Sequence, residues 1–391
     1  MGGSADRTAG GPDGLNAASA DAGWNRFATW SMRDARLALF AFLAILIASA
    51  FVPVQQNASG VSTRSLTQVL TEDQAPERAR DEDLALYDRA IERIRHGENY
   101  YDFIVEEHRR TQYPVRPGVA VRLPTLAYID AWLGLPGQIA AAFALMTAVL
   151  LAWWKRLGEE APDSRKRLLA FAFLMIGATL GLTRHFFVLH ELWAGMLLAL
   201  SFGLHRPGKW GWSLAAAALA VAIREHALPF VLLMAALAFW RRDWKEGSAW
   251  SALVLAFLAA LGLHLHIIAQ QVLPSDPYGQ GWMYLRGLSG WVSNVALSSN
   301  LRFLPDRVVG PIIMLAMLGW ATWRRPAGQF GFLLYAGYGL LFMIAGRPDT
   351  YYWGVIVAPA VLVGLAFAGP GLRALLVAAT DAEPEPQTRC A

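Results

Sequence analysis

Residues 81–128 read DEDLALYDRAIERIRHGENYYDFIVEEHRRTQYPVRPGVAVRLPTLAY. This stretch is polar, aromatic and rich in charge, while most of the surrounding chain is apolar. Leu84, Tyr87, Ile91 and Ile94 recur at three- and four-residue spacing, so a helix over 83–95 has one apolar face. Gly97 supplies its stop. A second short helix fits 101–110, and Pro114, Pro117 and Gly118 then break the chain. The fold depends on what this polar segment rests on.

What it rests on is apolar. The 391 residues are 55% hydrophobic and 16% charged, with a mean hydropathy of +0.34. Soluble proteins carry about 25% charged residues. Several windows of about 17–20 residues hold no charge, the length needed to cross a bilayer. The first span is 37–53. Later ones are expected at 137–154, 167–184, 187–205, 211–223, 227–240, 249–271, 308–323, 328–345 and 352–368. The fold class read from this is all-α, a polytopic transmembrane bundle of about ten spans with a helical first external loop. The pair 211–223 and 227–240 is too short for two crossings. Two tilted or partial helices are expected, meeting at a polar cavity at Arg224, Glu225 and His226; the alternative is one long helix through Arg224.

Lysine and arginine orient the bundle. With the N-terminus inside, eighteen of the 34 basic residues fall on inner segments and six on short outer loops. The other ten lie in the long loop after the first span, which counts little in this rule. Residues 1–35 are then a cytoplasmic and partly disordered segment, 36–379 the membrane domain, 55–135 its first external loop, and 380–391 a cytoplasmic tail. The expected location is a bacterial inner membrane. A pI near 9.3 follows from the same inner charges and does not imply nucleic acid. Cys390 is the single cysteine, so there is no intramolecular disulfide and no cysteine metal site.

The outer face collects the chemistry. The binding candidates are Tyr87, Tyr100, His108 and Arg122 from the loop, with Arg184, His185, His190, Arg224, Arg347, Tyr351 and Tyr352 from predicted span ends. Each alone is an ordinary interfacial anchor; their gathering at one face is the informative part. His264 and His266 lie two apart on a helix and point apart, His185 and His190 are five apart, and no HExxH occurs. No metal or other cofactor is expected. Serine-nucleophile motifs and glycine-rich phosphate loops are absent.

Three stretches after the first span, Asp83-Leu-Ala-Leu-Tyr87-Asp-Arg-Ala90-Ile91, Gly97-Glu-Asn-Tyr100-Tyr101 and Arg122-Leu-Pro124-Thr-Leu-Ala-Tyr128, together resemble the first external loop of GT-C superfamily glycosyltransferases. These are membrane enzymes that use lipid-phosphate sugars, among them protein O-mannosyltransferases and bacterial aminoarabinose transferases. The resemblance covers about 50 residues in detail. It implies a GT-C-like fold and a catalytic carboxylate four residues before an aromatic, which is Asp83 before Tyr87. It also implies a phosphate contact at Arg122. This chain departs by having Leu-Pro-Thr where relatives often carry two prolines. Asp81, Glu82 and Asp88 crowd Asp83 and are alternative bases.

The chemistry is self-consistent. An alcohol is a far weaker acid than Asp, so a carboxylate base takes the proton late, as the new bond forms. Arginines offset charge on the departing phosphate. The competing role for Asp83 is a helix-starting acid favoured by the helix dipole. The expected function is therefore metal-independent glycosyl transfer from a polyprenyl-phosphate sugar to a lipid, glycan or protein acceptor. The alternative is a transporter or flippase for a lipid-linked or anionic glycan, on the same cations and the break near Arg224.

Overall fold

The computed structural model describes residues 23–54 and 82–380. Expectations for residues 1–22, 55–81 and 381–391 lie outside the described residues. The described chain folds as helices, without a β-strand.

Trp24 and Asn25 are buried, and Arg324 donates its N–H to the Trp24 carbonyl at 2.7 Å, tying this entry segment to the bundle. After the 3-10 turn Arg26–Thr29, Ser31 caps helix α1 (Met32–Ala50). Next come α2 (Glu82–Arg95) and α3 (Tyr100–Arg110), then α4 (Thr125–Glu160), α5 (Ser164–Ala178), α6 (His190–Leu204), α7 (Gly211–Ile223), α8 (Leu228–Trp240) and α9 (Trp244–Ala269). The chain ends with α10 (Leu288–Leu297), α11 (Asp306–Thr322), α12 (Pro326–Ile344), the single turn α13 (Ala358–Val361) and α14 (Leu365–Thr380).

Four helical segments are long and apolar enough to cross a membrane: Gly118–Glu160, Trp244–Ala269, Pro326–Ile344 and Ala358–Thr380. That is the signature of an integral membrane protein. Three more, His190–Leu204, Gly211–Ile223 and Glu225–Trp240, are apolar but shorter. Helix α1 has the length but carries Arg33, Asp34 and Arg36 in its first turns.

Consecutive helices pair, α6 with α7 and α8 with α9, while α11 packs on α14 and α1. The polar helices α2 and α3 lie at one end, the cap end, over the starts of α4 and α6 and the end of α9. Trp132 is exposed at that end, and Trp212, Trp240 and Trp244 are exposed at the other. Two levels of tryptophan are what a membrane with two interfaces selects.

Between them the core is aromatic. Trp153, Trp320 and Trp323 are fully buried, and Phe202 packs on Trp153 and Phe330 at 4.9 and 4.7 Å between centroids. Buried indole N–H groups need acceptors. Trp153 donates to the Ala199 carbonyl and Trp320 to that of Val361, at 2.9 and 2.8 Å. Small residues let helices touch backbone to backbone. A Cβ placed on Gly195 would stand 2.4 Å from the Val355 carbonyl oxygen. At the far end Glu246 accepts from His205 at 2.7 Å and from Arg241 and Trp250 at 3.2 Å each, joining α6, α8 and α9.

The 211–240 region takes the expected form of two partial helices, each of 13 residues, joined through an extended Arg224 and the 3-10 turn Glu225–Ala227. Other boundaries differ from expectation. The 352–368 region is broken: it starts as the 3-10 segment Pro348–Ile356, and its main helix, α14, runs on to Thr380. Its prolines at 348 and 359 each sit in the first turn of a new element, where a missing N–H costs nothing. Helix α10 has no counterpart among the expected spans. It is ten residues long, starts after Gly287 at φ 57°, and is buried on most sides, so it has no clear period. Helix α4 breaks at Gly134, whose φ 61° and ψ 176° belong to glycine alone.

Candidate functional site

The cap is fastened first to itself. Asn99 caps α3 by accepting the Tyr101 N–H at 3.0 Å. Glu107, buried in α3, accepts from Arg89 and Arg93 of α2 at 3.2 and 3.1 Å and forms an ion pair with Arg110 of its own helix at 3.0 Å. The two cations from α2 on this buried carboxylate hold α2 against α3. Arg93 also binds Glu98 and holds that carboxyl below its ordinary range.

The cap is then fastened to the bundle. Tyr101 and His264 of α9 share a hydrogen bond at 3.1 Å, and the other ring nitrogen of His264 reaches the Val121 carbonyl at 3.1 Å. Arg109 makes a two-pronged bond to Asp276, at 2.7 and 2.8 Å, which holds the Asp276 carboxyl down at about 2. The Tyr100 hydroxyl donates to the Arg122 carbonyl at 2.7 Å. Burial pushes that phenol well above its usual range. The His108 ring meets the Pro114 carbonyl at 3.2 Å, and burial pushes its imidazole down to about 4, so it is neutral at pH 7.

Between cap and bundle lies a narrow cleft lined by Tyr87, Tyr100, His108, Arg122, Asp130 and His190, with Leu126 and Ala127 as apolar wall. Its enclosed room is about 10 Å³, enough for about one water molecule. Arg122 is half-buried in it. Among the described residues, its side chain meets only hydroxyls: that of Tyr87 at 3.1 Å and that of Tyr352 at 3.4 Å. Tyr87 also packs edge-on against His190, centroids 5.1 Å apart.

Behind this wall sits an ion-pair cluster. Arg224 Nε lies 2.7 Å from Glu191 Oε1, with both side chains 1% exposed, and Arg224 also pairs with Glu225. His226 stands 3.9 Å from Glu191 and tilts over Trp353, centroids 4.4 Å apart. Arg224 lies where α7 ends, because Arg224 itself is extended and the helix cannot continue through it.

The structure brings together Tyr87, Tyr100, His108, Arg122, His190 and Tyr352, with Arg224 behind them. It does not bring in Arg184 and His185, which are exposed on the 3-10 turn Arg184–Phe186. Arg347 folds back on Asp349 at 2.8 and 3.0 Å. Tyr351 gives its carbonyl to Ser298 at 2.8 Å and packs edge-on against Tyr352. The expected convergence of four arginines is therefore two arginines, one of them already neutralised by two carboxylates. Asp83 lies in the first turn of α2; its side chain, like those of Asp81 and Glu82, lies outside what is described.

Sequence reasoning misses two residues. Glu191 opens an otherwise apolar helix, and Asp130 is a lone acid within TLAYIDAWLGLP. A single carboxylate in an apolar run is the available signal for both. Asp130 is fully buried, and among the described residues neither carboxylate oxygen has a hydrogen-bond partner. Among the described residues no group of three or more His, Cys, Asp or Glu side chains is arranged to hold a metal ion. No model of a known protein family matches the chain, and neither does any curated protein or solved structure.

Proposed function

We propose that the chain is an integral membrane glycosyltransferase that moves a sugar from a polyprenyl-phosphate donor to an acceptor hydroxyl at the cleft. On this reading the bundle is GT-C-like with about ten spans, the N-terminus is cytoplasmic, and the cap faces the external side of a bacterial inner membrane. The observation that carries it is Arg122. This guanidinium stands at the cleft with two tyrosine hydroxyls and no described carboxylate in pairing distance. A half-buried cation with neutral partners is suited to an anion. A lipid phosphate presents its charge at headgroup depth with its tail in the bilayer, and Tyr87 and Tyr352 offer aromatic surface at the same level.

In the proposed step the acceptor oxygen attacks the anomeric carbon as the bond from that carbon to the phosphate oxygen breaks. The acceptor proton passes to a carboxylate of α2, Asp83, and the polyprenyl phosphate leaves with its charge offset by Arg122. No metal enters the step.

The broken helix pair at Arg224 supports the second reading, a transporter, because transporters place charged groups at helix breaks. Incubating purified protein with a polyprenyl-phosphate sugar separates the two. An enzyme releases polyprenyl phosphate and a glycosylated acceptor; a transporter binds the lipid and releases neither. Transfer from a nucleotide sugar instead, or activity lost on chelation, would remove the donor assignment.

A further inference from the structure

Asp130 has no structural work to do. It lies in the second turn of α4, away from the helix start, so it caps nothing. Arg95, the nearest arginine in contact, reaches the Asp130 backbone carbonyl at 3.4 Å and not its carboxylate. Buried polar groups in folded proteins are almost always hydrogen-bonded, and an exception calls for an explanation. Here the side chain lines the cleft, and so does His190, whose ring nitrogens make no hydrogen bond of ordinary geometry among the described residues.

The cleft therefore has a polarity. At one end Arg122 presents a cation held by hydroxyls. At the other Asp130 presents acceptors without donors. A wholly anionic ligand would be repelled at Asp130, and a cationic one at Arg122. A ligand that is anionic at one end and carries neutral O–H donors at the other satisfies both. The wall between them is apolar at Leu126 and Ala127, about one helical turn or less from Asp130 on the same helix, as the C–H face of a sugar ring requires. The enclosed room holds about one water, so a ring enters only if α2 and α3 move away from α4.

We propose that Asp130 is a sugar-binding residue: its carboxylate accepts hydrogen bonds from hydroxyls of the donor sugar and so orients the donor with its phosphate on Arg122. This rests on the glycosyltransferase reading above and adds the direction in which the donor lies. Asp130 here is a positioning residue for the donor, distinct from the base on α2. A bare lipid phosphate engages only the Arg122 end, whereas the glycosylated lipid engages both.

The test uses the full chain in detergent with farnesyl phosphate and its mannosyl and glucosyl esters as probes. The wild type is expected to bind at least one glycosylated probe about tenfold more tightly than bare farnesyl phosphate, equivalent to about 1.4 kcal/mol. Asp130→Ala should lose that preference and keep its affinity for the bare phosphate. Asp130→Asn, which retains one acceptor oxygen, should lose part of it. Neither variant should melt earlier than the wild type, since no partner is stranded. Three results overturn the proposal: a preference that survives in Asp130→Ala, a wild type that binds the bare phosphate with no preference for sugar, or an equal loss of both affinities with early melting, which would make Asp130 structural. A wild type that binds none of the probes removes the glycosyltransferase reading itself, so the two failures are told apart.

Discussion

Arg224 and Glu191 form an ion pair 2.7 Å long with both side chains almost wholly removed from solvent. Glu191 stands in the first turn of α6 and Arg224 in the extended link just after α7, so the pair ties the α7–α8 break to the start of α6. Glu191→Ala leaves a buried guanidinium with Glu225 alone and is expected to destabilise by about 3–5 kcal/mol. Replacing both together, Glu191→Leu with Arg224→Met, should cost much less, because no charge is stranded. Denaturant titration in detergent measures both. Equal losses in the single and double variants would show that the pair is not what holds the break.

Arg122→Ala is expected to weaken farnesyl phosphate binding by about 10–100-fold, the scale of a charge-assisted contact. Arg122→Lys keeps the charge and loses the planar fork, so it should fall between. Unchanged affinity in the alanine variant would move the phosphate elsewhere in the cap.

Asp83→Asn should abolish sugar transfer and leave farnesyl phosphate binding within about twofold, since the two side chains are nearly isosteric and general-base catalysis contributes about 10²–10⁴. Asp81→Asn and Asp88→Asn should do less. Full turnover in Asp83→Asn, with loss in one of the others, would reassign the base along α2.

His108 gives a stability slope with a defined sign. Its imidazole has an ordinary value of 6.5 and is pushed down to about 4 by burial in the fold. The unfolded chain therefore takes up a proton first as pH falls. The contribution is complete above about pH 6.5, declines between about 6.5 and 4, and is level below that. Over the whole window it amounts to about 3 kcal/mol at most. His108→Phe should flatten the pH dependence of the melting temperature over this range. A slope that persists in the variant would have to come from another group.

Topology is testable with the native cysteine removed. In a Cys390→Ser background, a cysteine at Gln112, exposed at the cap, should react with an impermeant maleimide added outside cells. One at Ser164, exposed at the other end, should not. The reverse pattern would put the cleft on the cytoplasmic side and remove the lipid-linked donor.

Much of the fold is legible in the sequence because it rests on local signals. The 3–4 spacing of Leu84, Tyr87, Ile91 and Ile94 locates α2, and Gly97, at φ 89°, ends it. The gathering of Tyr87, Arg122, His190 and Tyr352 around one cleft does not follow from spacing, since Arg122 and Tyr352, which touch, are already 230 residues apart. Span-end position alone groups Arg184 and Arg347 with them. That rule records depth and says nothing of position around the bundle. Asp130 escapes notice for a related reason: an acid without a partner looks, in a sequence, like any other acid.

The break at Gly134 divides α4 into two rods with separate loads. The long rod beyond it is the one whose length matches a bilayer, and the short rod before it carries Leu126, Ala127 and Asp130 to the cleft. The direction of the short rod is therefore set by the backbone angles of Gly134 and by its contacts with the cap, and it need not follow the axis of the long rod. The membrane-facing length and the cleft wall are thus carried by one helix but aimed separately, while α9, bonded to Tyr101 through His264, is an unbroken link between cap and bundle.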